Sequence, residues 1–152
     1  MKYQGVLWPL FACLVSIGQV DAQQAARAEY KQGQATFTQE GKESKWQLWR
    51  GGLDTPGNPP GMQVVSLMYS PDGKPGSSLL RISVGKMGEI ASLAVLAVEK
   101  GPSGTAIYRS KSAKCAVRLT RADAKGAAGG GSCTGRFEEG PAITKFEFSA
   151  GS

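Results

Sequence analysis

The chain contains no histidine. That excludes Ser-His-Asp and Cys-His nucleophilic catalysis, His-ligated zinc and imidazole pH switching. Cysteine is scarce, three in 152 residues. Aromatic residues are only 8% of the chain, and no apolar run reaches the ~20 residues of a spanning helix. What is present is globular: 41% hydrophobic and 20% charged residues, a formal net charge of +6, and 21 glycines with 8 prolines. The length suits one domain with a genuine core.

Residues 1–22 read as a secretory signal. Lys2 supplies the positive start, Val6 to Ile17 the apolar stretch, and Val20-Asp21-Ala22 the small residues before cleavage. Pro9 interrupts the stretch, against a membrane anchor. Leu10-Phe11-Ala12-Cys13 has the outline of a bacterial lipobox, but the apolar run continues past it and bulky Phe11 stands where a small residue is usual. Lipidation at Cys13 is therefore the lesser alternative to cleavage after Ala22. The expected location is periplasmic or secreted. Removing Lys2 and Asp21 leaves the charge at +6.

After cleavage only Cys115 and Cys133 remain, and an oxidising compartment predicts a single disulfide between them. Gly131-Ser132-Cys133-Thr134-Gly135 has a nucleophile-elbow outline, but no histidine exists to serve as base. Residues 23–33 are polar and Ala-rich and read as an arm, a frayed helix or a disordered tether, ahead of one domain over 34–152.

From Gln34 the pattern is that of an all-β protein, an antiparallel sandwich or small barrel with one disulfide. Short alternating segments are separated by turns at Glu40-Gly41-Lys42, Pro71 to Gly76 and Lys100 to Gly104. Gly51 to Gly61, with three prolines, reads as a long irregular loop, and Ala124 to Gly131 as a flexible hairpin tip. Residues 90–98 are apolar on both faces; between strand and buried helix, the β-rich context favours strand. Thr105–Ser110, Lys114–Arg121, Gly131–Phe137 and Ala142–Ala150 complete the strands.

No catalytic constellation emerges. Glu138-Glu139 alternate faces in a strand, Asp72-Gly73 lacks the other carboxylates of a calcium loop, and Ser103 has no base. The expectation is a protein that is not an enzyme, with no cofactor and no metal. Candidate binding residues are basic and aromatic. From Thr105 onward there are eight Lys and Arg against four acids. With Cys115 and Cys133 facing inward, Lys114, Arg118 and Arg136 face outward, and Phe146 inward sends Lys145 outward; the four would form a basic stripe. Trp46 and Trp49 have opposite parity, so one is expected outside, beside Arg50. An exposed Trp49 would stack a sugar or anchor a partner.

Cys115-x-Val117-x-Leu119, the Gly-rich segment, Gly131-Ser132-Cys133-Thr134-Gly135 and Lys145-Phe146-Glu147-Phe148 resemble small exported bacterial β-proteins and lipoproteins of mostly unassigned function. The likeness covers the C-terminal third, with Lys145 where a Gly is common. It implies a bacterial envelope β-domain and carries no site residue. The expected function is a non-catalytic exported binding or structural module. Its partner would be a protein or an anionic glycan of the envelope surface, not nucleic acid, and the mature chain would have no transmembrane span. The alternative is an exported inhibitor of a lysozyme or protease, using loop 51–61 as a plug.

Overall fold

The structure is a computed structural model, and it describes residues 26–100, 105–107 and 113–152. The signal expected over residues 1–22, with Cys13, and Ser103, Arg109 and Lys111 lie outside the described residues. The described chain is all-β: β1 (Ala26–Tyr30), β2 (Gln32–Gln39), β3 (Lys42–Thr55), β4 (Met62–Ser70), β5 (Ser78–Met87), β6 (Ile90–Lys100), β7 (Thr105–Ile107), β8 (Ala113–Asp123), β9 (Gly126–Gly135) and β10 (Ile143–Gly151). One antiparallel sheet runs β7-β6-β5-β4-β3-β2-β10-β9-β8, with β1 also on β3. Contacts between β6 and β8 bring its ends together into a nearly closed barrel. Residues 90–98 are strand, inside β6.

Alternation places one apolar set inside. Phe37, Leu67, Tyr69, Leu80, Ile82, Leu96 and Phe146 are essentially inaccessible to solvent. Each such side chain adds about 1.5–3 kcal/mol of burial. The barrel interior is filled by side chains; Phe37 meets Trp46 edge-on, with centroids 4.9 Å apart. Tyr69 carries the one phenol in this innermost set, and its hydroxyl donates to the Ser149 carbonyl at 2.9 Å.

Three segments differ from the sequence expectation. The N-terminal arm is structured from Ala26. The pairing Gln34↔Gln47 continues as Tyr30↔Gly51 in the same register, so β1 and β2 are two halves of one long partner to β3. Tyr30 is buried and donates to the Asp123 carbonyl at 2.7 Å, which holds the arm down. Polar composition misled here because five of these residues need only one buried anchor to join an existing sheet.

The loop expected over 51–61 is reduced to Pro56–Gly61. Gly51–Asp54 pair with β4 on one side and β1 on the other. The two glycines that suggested a turn are packing glycines. A β-carbon on Gly51 would stand 2.7 Å from Leu67 Cδ2, and one on Gly52 would stand 2.6 Å from the Ala28 carbonyl oxygen.

The hairpin tip expected over 124–131 is reduced to Ala124-Lys125. Gly126–Gly131 is strand, paired to β8 and β10 at once. The rings of Phe146 and Phe148 cover Gly131 and Gly129, where β-carbons would come within 2.7 and 3.0 Å of their Cζ atoms. Aromatic cover of this kind replaces the side chains the glycines lack.

Candidate functional site: the outer face of the barrel

Cys115 and Cys133 are direct cross-strand partners on β8 and β9 and form the disulfide, with Cα atoms 4.0 Å apart. Both side chains join the core, so Lys114 and Arg118 face outward, as the parity of β8 requires. Arg136 is exposed but lies beyond the end of β9, so its direction does not follow from strand parity. Lys145 faces outward and pairs with Glu147 at 3.4 Å. Arg118 and Glu147 flank Gly130 in one transverse row. The expected basic stripe is therefore a mixed surface. Arg118 and Lys145 border a shallow depression of about 940 Å³ above Ala128, Gly130 and Ser132.

Trp46 is buried and Trp49 is 38% exposed. Pairing with β4 skips from Leu48↔Tyr69 to Arg50↔Met68, so Trp49 is the extra residue of a β-bulge. The bulge resets the alternation: Trp46 and Leu48 face in before it, Leu53 after it. Both Trp49 and Arg50 are thereby exposed although adjacent in sequence.

Arg50 opens a second, deeper groove of about 430 Å³ on the outer face of β3, β4 and β5. Arg50, Met68 and Arg81 form one row across the three strands. The next row is Gly52, Ser66, Ser83 and Val95, the last from β6. Asp54 closes the far end, paired with Arg27 of β1 at 3.7 Å. Among the described residues neither Arg50 nor Arg81 has an acidic partner. Two guanidiniums without such partners thus line one groove, an arrangement able to hold an anion by forked hydrogen bonds.

Arg27 and Arg81 were not singled out by the sequence. Arg81 interrupts the apolar run Leu79 to Val84, and only the registers of β3, β4 and β5 place it in one row with Arg50. Lys114, Arg118, Arg136, Lys145 and Trp49 do not line this groove. Among the described residues no group of three or more cysteines or carboxylates is placed to hold a metal ion, and no helix is long and apolar enough to cross a membrane.

Elsewhere, the Asp123 carboxylate accepts from the Lys125 and Gly126 amides and from Arg121 Nε at 2.9 Å. The Arg121 hydrogen bond, then the Lys125 amide, hold its pKa below the usual 3.8. Burial, reinforced by Asp123, raises the Tyr30 phenol. These shifts belong to a turn rather than to a reaction centre. Comparison with known protein families, curated proteins and solved structures finds no match to this chain.

Proposed function

We propose that the protein is a non-catalytic, exported binding module that engages an anionic partner, a protein or an envelope glycan, on the outer face of its barrel. The observation that carries this reading is the groove lined by both Arg50 and Arg81, neither of which has an acidic partner among the described residues. The filled interior supports it, because recognition then falls to the surface. The disulfide is compatible with maturation in an oxidising compartment. An inhibitor would have to use Pro56–Gly61 alone, since Gly51–Thr55 is locked into β3.

Retention on a sulfated dextran column tests the proposal. The wild-type protein is expected to bind at low salt and to elute as ionic strength rises, because exposed charge pairs are screened. The Arg50→Gln/Arg81→Gln protein is expected to elute at clearly lower salt than a Lys114→Gln/Arg118→Gln protein. Equal elution of all three would contradict the proposal.

A further inference from the structure

We infer that the Arg50–Arg81 groove is a site for a sugar bearing a sulfate or phosphate ester; this rests on the binding-module reading above and names its ligand. Neighbouring strands lie about 4.8 Å apart, so the Arg50 and Arg81 backbones, with Met68 between them, are separated by about 10 Å. Both side chains are long enough to reach the space above Met68. One guanidinium fork satisfies a planar carboxylate. Two forks from opposite walls offer donors to all three terminal oxygens of a tetrahedral ester, which a single arginine cannot.

The rest of the groove suits the sugar. The hydroxyls of Ser66 and Ser83 rise from the adjacent row, within reach of ring hydroxyls. Asp54 at the far end, beside Arg27, can accept hydrogen bonds from hydroxyl or amino groups. Val95, 40% exposed at the β6 edge of the groove, offers an apolar contact for the C–H face of the ring. The groove's 430 Å³ falls within the ~300–1,000 Å³ typical of small-ligand sites. An arginine pair at one end, serine hydroxyls in the next row and an acid at the far end match an ester and then ring hydroxyls in that order.

The test is calorimetric titration of the purified disulfide-bonded protein with glucosamine 6-sulfate, glucose 6-phosphate, neutral glucose and a phosphoserine peptide. Saturable binding is expected for the two sugar esters, at least tenfold tighter than for glucose. Whichever ester binds tighter identifies the source as sulfated or phosphorylated glycan. Arg50→Gln and Arg81→Gln should each weaken binding at least tenfold, while Arg118→Gln changes it less than twofold. Both groove arginines are exposed, so melting temperatures should not move and loss of binding cannot be ascribed to unfolding. Esters that bind no tighter than glucose, or tighter binding of the phosphoserine peptide, overturn the inference. If a polyglutamate column, which carries no sugar, still retains the protein through Arg50 and Arg81 in that event, only the sugar assignment falls. If it does not, the binding-module reading falls too.

Discussion

Phe146 stands directly over Gly131: a β-carbon built on the glycine would lie 2.7 Å from Cζ of the ring, and it would also strike the Ala116 carbonyl oxygen. The glycine is required by contact with a ring and a neighbouring strand, not by its own dihedral angles. Gly131→Ala should therefore destabilise the protein by about 1–3 kcal/mol, the usual cost of overpacking. Gly76→Ala, where the new carbon would be 4.0 Å from its nearest neighbour, should stay within about 0.5 kcal/mol. Urea denaturation of both variants makes the comparison.

The Tyr69 hydroxyl is buried and donates to the Ser149 carbonyl. Tyr69→Phe should cost about 1 kcal/mol. Burial also holds the folded-state phenol well above its usual 10.0. A raised pKa means the contribution is whole below pH 10 and is lost as pH climbs above it, when the unfolded chain releases the proton first. Stability should fall steeply above pH 10 in the wild type, and less steeply in Tyr69→Phe.

The Cys115–Cys133 bond closes a loop spanning 18 positions between two paired strands. The chain-entropy model puts its contribution at about 3 kcal/mol. Thermal melts with and without reductant should differ accordingly, and thiol titration of the oxidised protein should find neither cysteine free.

Asp123 ties the Ala124-Lys125 turn through two backbone amides and Arg121. Its depressed pKa means that its contribution is present above pH 3.8 and is lost as pH falls through the lower folded value. Asp123→Asn should lower the melting temperature at neutral pH and narrow the gap to wild type at strongly acidic pH. Melting curves across the acid range check this.

The sequence revealed the strand class, the cysteine pair, the parity of Cys115, Val117 and Leu119, and that one of two tryptophans lies outside, because alternation is a local property. It concealed the roles of Gly51, Gly52 and Gly129–Gly131. In isolation such residues signal turns; here they sit where a neighbouring strand or ring comes too close for a side chain. The aromatic residues that cover Gly131 and Gly129 follow those glycines by 15 and 19 positions. The groove was half legible. Arg50 drew notice beside Trp49, but Arg81 and Arg27 reach it only through the registers of β1, β3, β4 and β5, which no local pattern encodes.

The proposal places an anionic partner in the arginine groove on β3–β5 rather than on the mixed surface over β8–β10. Backbone amide NMR of the isotope-labelled protein, titrated with a sulfated oligosaccharide, tests it residue by residue. The largest shifts are expected at Arg50–Gly52, Ser66–Met68 and Arg81–Ser83. Shifts confined to Lys114–Arg118 and Lys145–Glu147, or none at saturation, would contradict it.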